Sequence, residues 1–95
     1  MKTIYKCANC GAVHWGVSPP DDCRSCDEKQ KYIKGDIKDV QALLENLGDK
    51  KLFRCIICND LHIGINFPEV CPTCFNIEVY VEISEREFDI FINKK

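Results

Sequence analysis

Eight cysteines arranged as four C-x-x-C pairs are the residues of this chain best suited to chemistry. Residues 7–26 read CANCGAVHWGVSPPDDCRSC and residues 55–74 read CIICNDLHIGINFPEVCPTC, each with twelve residues between its two pairs. A C-x-x-C turn directs two sulfurs at one ion, and two turns complete a tetrahedron that suits zinc or a single iron rather than calcium or magnesium. The pattern therefore predicts two metal ions, iron or zinc, one per site. The predicted ligands are Cys7, Cys10, Cys23 and Cys26 in site 1 and Cys55, Cys58, Cys71 and Cys74 in site 2.

The alternative use of such cysteines is a disulfide framework, as in small secreted proteins. The segment Met1–Lys6 is too short and too polar for a signal peptide, and no apolar run approaches the length of a membrane span. We therefore expect a cytoplasmic protein, whose thiols stay reduced and whose paired C-x-x-C motifs indicate metal or redox chemistry.

The charge of the chain is nearly balanced, with 13 Lys and Arg against 15 Asp and Glu. Two zinc ions, each replacing four thiol protons, would take the formal net charge from −2 to −6. Because phosphate neutralisation supplies most nucleic-acid affinity, we expect a protein partner and neither a nucleic acid nor a membrane.

The chain is a tandem duplication with an offset of 48 residues, which superimposes the four cysteines of site 1 on those of site 2. The same offset places His14, Gly16 and Pro20 on His62, Gly64 and Pro68. Seven of 22 aligned positions are identical without a gap. We therefore predict two modules, residues 1–48 and residues 49–95, packed together.

Each module is predicted to contain hairpins that carry the C-x-x-C pairs, one strand and one amphipathic helix. The result would be a small α+β protein that bound metal ions stabilise. The strands are expected at residues 31–34 and 79–82, which are rich in β-favouring residues. Asp36 would cap the first helix and Gly48 would end it, whereas Ser84 and Glu87 read as a capping box for the second. Modules this small rarely bury enough apolar surface to fold without such staples, and we expect the two helices to share a core.

Residues 5–26 closely resemble the rubredoxin-like domain at the C-terminal end of rubrerythrins, with its pattern C-x-x-C-G-x-V-H-x-G-x-x-x-P-x-x-C-P-x-C. The resemblance covers about 44 of the 95 residues when both repeats are counted. It implies a rubredoxin-like or zinc-ribbon fold, with the eight cysteines as ligands of mononuclear iron centres that pass single electrons.

The sequence departs from that family in several places. The di-iron peroxidase domain of rubrerythrins needs Glu-x-x-His on long helices, and Gly11 and Asn59 stand where that Glu would precede His14 and His62. A catalytic role is therefore not expected. Asn59 replaces a glycine, Arg24 replaces a proline, and Phe75 follows the last cysteine of site 2, where a small residue is usual.

Several residues near the cysteines have ordinary structural interpretations. With four thiolates per site, His14 and His62 are expected to form hydrogen bonds within their hairpins rather than to bind metal. Trp15 and Ile63 are expected to pack at the interface of the repeats or against a partner. The turns of site 1 are polar and include Arg24, whereas those of site 2 are largely apolar, so we expect a lower reduction potential at site 2 if iron is bound.

Three functions fit these features. The first is a single-electron carrier between a reductase and an oxygen- or peroxide-detoxifying enzyme. The second is a structural zinc-ribbon interaction module, with Trp15, Ile63, Ile65 and Phe67 as the candidate partner surface. The third is thiol redox sensing or metal storage, which a closed four-cysteine cage favours less.

Overall fold

The computed structural model describes residues 2–20, 22–23, 26, 28–29 and 32–93. Within these residues the chain forms eight strands and two helices. In chain order they are β1 (Thr3–Cys7), β2 (Val13–Gly16), β3 (Asp22–Cys23), β4 (Glu28–Lys29), β5 (Tyr32–Lys34), α1 (Ile37–Glu45), β6 (Lys51–Cys55), β7 (Leu61–Gly64), β8 (Tyr80–Ile83) and α2 (Glu85–Ile92). The predicted α+β class is confirmed.

Six strands form one antiparallel sheet in the order β5-β1-β2-β7-β6-β8, and β3 and β4 form a separate two-stranded ribbon. The first three strands of the large sheet come from residues 3–34 and the last three from residues 51–83. The two repeats therefore contribute equivalent halves of one sheet. Whether residues 1–48 and 49–95 are separable domains stays a prediction.

Strands β2 and β7 join the two halves, and we call their pairing the seam. His14 lies opposite His62, Val13 opposite Ile63 and Trp15 opposite Leu61. Because His14 and His62 are equivalent positions of the repeat, the seam has approximate two-fold symmetry centred on this pair.

Alternation along the strands gives the large sheet two different faces. On one face, Val13, Leu61 and Ile63 form a buried core with Val40 of α1 and Phe88 of α2. The helices share this core, as the sequence analysis predicted. On the other face, Phe53, Cys55 and Tyr80 pack beside Cys71, so the sheet separates the helices from the candidate metal ligands of site 2.

The helix boundaries follow local capping, with one difference from the prediction. Asp36 caps α1 by accepting from the N–H groups of Lys38 and Asp39, and the Asp39 side chain completes a capping box. Helix α1 ends at Glu45 with Asn46 as its C-cap, one residue before the C-cap at Leu47 that a terminating Gly48 implies. Gly48 instead occupies a turn at φ 56°, a conformation in which glycine is favoured. Ser84 caps α2 by accepting from the Glu87 N–H, which is one of the two hydrogen bonds of the predicted capping box.

The predicted strands are displaced slightly. Strand β5 begins at Tyr32, and Lys31 lies outside the described residues, as does Arg24. Strand β8 covers Tyr80–Ile83, one residue later than the predicted range. No helix within the described ranges has both the length and the apolar character needed to cross a bilayer.

Candidate metal centres

The structure brings the eight predicted ligands together as two separate groups of four sulfur atoms. All sulfurs of a group lie within 4.8 Å of one another. The groups are Cys7, Cys10, Cys23 and Cys26, and Cys55, Cys58, Cys71 and Cys74. The sequence pattern therefore identified two four-cysteine clusters that could each hold a metal ion.

The sulfur separations fit a tetrahedral ion and exclude disulfide bonds in this structure. Cys10 Sγ and Cys23 Sγ are 3.4 Å apart, and Cys7 Sγ and Cys26 Sγ are 3.8 Å apart. The corresponding distances in site 2 are 3.5 and 3.7 Å. A tetrahedron with metal–sulfur bonds of about 2.3 Å has edges of about 3.8 Å. A disulfide requires about 2.05 Å, and all eight cysteines are free.

Tight turns at the ends of the long hairpins position the sulfurs. In site 1 the Gly11 N–H donates to the Cys7 carbonyl at 2.9 Å, and Gly11 has φ 83°. In site 2 the Asn59 N–H makes the same bond to the Cys55 carbonyl at 3.0 Å, and Asn59 has φ 66°. Asn tolerates this left-handed conformation better than most residues, so replacing the glycine by Asn59 preserves the turn.

Phe75 repeats that backbone conformation in a less suitable residue. It follows Cys74, donates its N–H to the Cys71 carbonyl at 2.8 Å, and has φ 61°. A bulky aromatic residue pays a steric cost at positive φ. The site nonetheless keeps its four sulfurs within 4.8 Å of one another.

Each cluster has a buried pair and a more exposed pair of cysteines. Cys7 and Cys23 are buried in site 1, as Cys55 and Cys71 are in site 2, whereas the other four are half-buried. Burial raises the pKa of the Cys10 and Cys58 thiols. Burial acts in the same direction on Cys74, but hydrogen bonds with the Asn76 side chain and backbone outweigh it and lower that pKa to about 7.

Two tyrosines that the sequence analysis placed only in strands contact the ligands. The Tyr32 hydroxyl donates to Cys23 Sγ at 3.7 Å, and the Tyr80 hydroxyl donates to Cys71 Sγ at 3.4 Å. Burial raises the pKa of both tyrosines, so both hydroxyls keep their protons and remain donors. Because the tyrosines are identical residues at equivalent repeat positions, the sequence held a signal for this role.

His14 and His62 are absent from both four-cysteine groups. They pair with each other in the seam, on the face of the sheet opposite the helices. Their Nδ1 atoms are 3.1 Å apart, and both rings are buried. Burial lowers the pKa of His14 and holds that of His62 well below 6.5, so both rings are neutral near pH 7. The predicted hydrogen-bonding role is therefore present, but the bond crosses between the repeats.

A buried carboxylate, Asp60, connects this histidine pair to site 2. Asp60 Oδ2 lies 3.2 Å from His14 Nε2 and 3.7 Å from Cys71 Sγ. The Lys2 ammonium and the Thr73 hydroxyl also donate to this carboxylate. Burial alone would raise the pKa of Asp60, but the bonds from His14, Lys2 and Thr73 outweigh it and lower the pKa to about 2.

Sequence reasoning missed Asp60 altogether. Its repeat equivalent is Ala12, so one half of the duplication has a buried charge where the other has a methyl group. Gly16 leaves the space that the carboxylate occupies, since a Cβ there would lie 2.3 Å from Asp60 Oδ2. The mismatch between Ala12 and Asp60 was the available signal.

The four residues suggested as a partner surface do not form one. Ile63 is buried in the core, and Trp15 is partly buried against it, as expected for packing at the interface of the repeats. Phe67 packs beside Phe53 and Tyr80, with ring centroids 5.3 and 5.9 Å away. Ile65 alone among the four is exposed.

Comparisons with protein-family models, with curated protein sequences and with solved structures find no match to this chain. The assignment of function therefore rests on the two cysteine clusters and their surroundings.

Proposed function

We propose that this protein is a one-electron carrier built from two rubredoxin-like repeats, with one iron ion in each four-cysteine site. The observation that carries the proposal is the pair of four-cysteine clusters, each with two buried and two half-buried sulfurs. Iron held by four thiolates supplies a reversible one-electron couple. The buried sulfurs accept hydroxyl donors from Tyr32 and Tyr80, while the half-buried sulfurs offer a short path to the surface.

An exposed apolar surface around site 2 supports transient contact with another protein. Its members occur in the two turns that hold the site and in the hairpin beside them, and we call them the site 2 tip. They are Ile56, Ile57, Val70, Phe75 and Ile77. Phe75 is 75% exposed and has the positive φ described above, so its side chain contributes little to the fold. Small apolar contact surfaces of this kind suit short-lived electron-transfer complexes.

Acidic residues border the site 2 tip, and their charge indicates which residues the partner should present. Glu69 and Glu78 are exposed and joined by a backbone hydrogen bond of 3.1 Å. The bound ion and its four thiolates add further negative charge. We therefore expect the redox partner, in the cytoplasm, to present an apolar contact surface bordered by Lys or Arg.

A structural zinc-ribbon protein is the second candidate, because the packing around site 1 depends largely on the candidate ligands themselves. Cys7 and Cys23 form a small apolar cluster with Ala12, against which Cys10, Cys26 and Tyr32 pack. Four of these six residues are metal ligands, so an ion of either kind would stabilise this end of the repeat. Zinc would satisfy this role without any redox chemistry.

The visible absorption spectrum separates the two candidates, because ferric tetrathiolate is coloured and zinc tetrathiolate is not. The protein should be purified anaerobically from iron-replete cells and then exposed briefly to air. A red protein that bleaches reversibly with dithionite and holds two iron ions per chain would support the electron carrier. A colourless protein with two zinc ions per chain would replace it with the structural zinc-ribbon module.

A further inference from the structure

The two metal sites differ in the charge beside their sulfurs, although their ligands are equivalent. At site 2 the Asp60 carboxylate lies 3.7 Å from Cys71 Sγ, and its side chain has no exposed surface. At site 1 the equivalent position is Ala12, which is also buried but carries no charge. Solvent screens a buried charge much less than an exposed one, so this difference acts directly on the sulfur cluster.

The first repeat holds that carboxylate in place. Lys2 and His14 both belong to the first repeat, and both donate to Asp60 of the second. Lys2 also donates to the Cys58 carbonyl at 2.8 Å. The electrostatic environment of site 2 is therefore completed by residues from across the seam.

The positive charge of Lys2 opposes that of Asp60 but does not cancel it at the sulfur. Asp60 uses Oδ2 towards Cys71, whereas Lys2 binds Oδ1 on the other side of the carboxylate. The Lys2 side chain is 22% exposed and Asp60 is not exposed, so water screens the ammonium more effectively. We therefore expect the carboxylate to dominate the electrostatic potential at Cys71 Sγ.

We propose that the negative charge of Asp60 makes the reduction potential of site 2 lower than that of site 1. The two centres would then differ in how readily they accept an electron. This inference rests on the proposed iron-based function. Reduction adds one negative charge to an iron tetrathiolate, and a neighbouring carboxylate disfavours the more negative form. An electron arriving on the protein would therefore reside at site 1.

A redox titration of the full chain with both sites loaded with iron tests this proposal. Cys10→Ser changes the spectrum of site 1 and so assigns each of the two potentials to its centre. Asp60→Asn keeps the size of the side chain and removes its charge. We expect it to raise the potential of site 2 by about 59 mV, equivalent to a tenfold change in the ratio of reduced to oxidised centre for one electron, and to leave site 1 unchanged.

Two further variants test whether the effect depends on the buried position of the charge. Glu69→Gln makes the same change of charge two residues before Cys71 but at an exposed position, and should shift the site 2 potential by much less. Lys2→Met removes the opposing cation at a partly exposed site, so it remains informative if Asp60→Asn does not fold. It should lower the potential of site 2.

The outcomes distinguish this inference from the proposed function. If neither centre of the unaltered protein shows a reversible couple, the electron-carrier proposal fails. If both centres are redox-active but Asp60→Asn shifts site 2 no more than Glu69→Gln does, the role of Asp60 is overturned. A higher site 2 potential in Lys2→Met would also overturn it. A cobalt(II)-loaded sample supplies a second readout, since the charge-transfer bands of site 2 alone should move in Asp60→Asn.

Discussion

Individual side chains account for the polar centre of this small protein. The face of the sheet opposite the helices buries two imidazoles and a carboxylate near one metal site, and each has a hydrogen-bond partner. Buried polar groups without partners are costly, so His14, His62 and Asp60 depend on one another. Gly16 is part of the same arrangement, because any side chain there would collide with Asp60.

The neutral state of His62 predicts how stability depends on pH. Its pKa in the folded protein is well below 6.5, whereas in the unfolded chain it is near 6.5. As pH falls from 7.5 towards 5.5, the unfolded state takes up a proton that the folded state does not bind. Stability should therefore fall with decreasing pH, and His62→Gln should reduce that slope by up to about 1.4 kcal/mol per pH unit.

Urea unfolding at half-unit steps of pH measures the two slopes. Metal content should be determined at each pH, and only conditions under which both proteins retain two ions should be compared. Equal slopes in the unaltered protein and the His62→Gln variant would show that the folded protein accepts the proton.

Among the elements, strands β2 and β7 determine how the two halves are joined. Their residues alternate between the helix-covered core and the face that holds the histidines. Ile63 is fully buried in that core, whereas Ile65, just beyond the end of β7, is 54% exposed. The two isoleucines are thus matched in type and differ in burial.

Truncation of these two side chains should have very different effects. Ile63→Ala should lower the free energy of unfolding by about 2–5 kcal/mol, because it leaves a cavity under the seam. Ile65→Ala should lower it by less than about 0.5 kcal/mol. Urea denaturation of the metal-loaded proteins measures both values, and similar losses from the two variants would contradict the assignment of the seam to the core.

The sequence predicted the elements that depend on local pattern. The cysteine spacing and the caps at Asp36 and Ser84 depend on residues close together in the chain, and the structure contains each of them. The pairing of β2 with β7 was not predicted, because nothing in one strand specifies its neighbour from 48 residues away. Asp60 was missed for the same reason, since its partners Lys2 and His14 lie 58 and 46 residues earlier.

At the scale of the whole molecule, the residues around the two four-cysteine sites differ in polarity. The site 2 tip exposes Ile57, Phe75 and Ile77, whereas the equivalent residues of the first repeat are Asn9, Asp27 and Lys29 in the sequence. A protein partner that prefers an apolar contact would therefore distinguish the second repeat from the first.

Electron transfer to cytochrome c, a basic protein acceptor, tests the importance of the tip. Replacing Ile57 and Phe75 together by Asn should slow the second-order reaction by about tenfold, equivalent to losing about 1.4 kcal/mol of contact energy. Reduction of ferricyanide, a small acceptor, should proceed at an unchanged rate. Ile90→Asn provides the control, because Ile90 is 60% exposed but lies on α2. Equal slowing by that control would refute a specific role for the tip.

The symmetry of the seam bears on the origin of the chain. An isologous homodimer of a single repeat would pair its copies in the same way, with each histidine facing its counterpart. In such a dimer any change to one subunit appears in both, so both metal sites would carry the carboxylate or neither would. Covalent fusion removes that constraint. A fused ancestor could acquire Asp60 in one half and keep alanine in the other. One gene product could then contain two centres of different reduction potential, between which an electron moves preferentially in one direction.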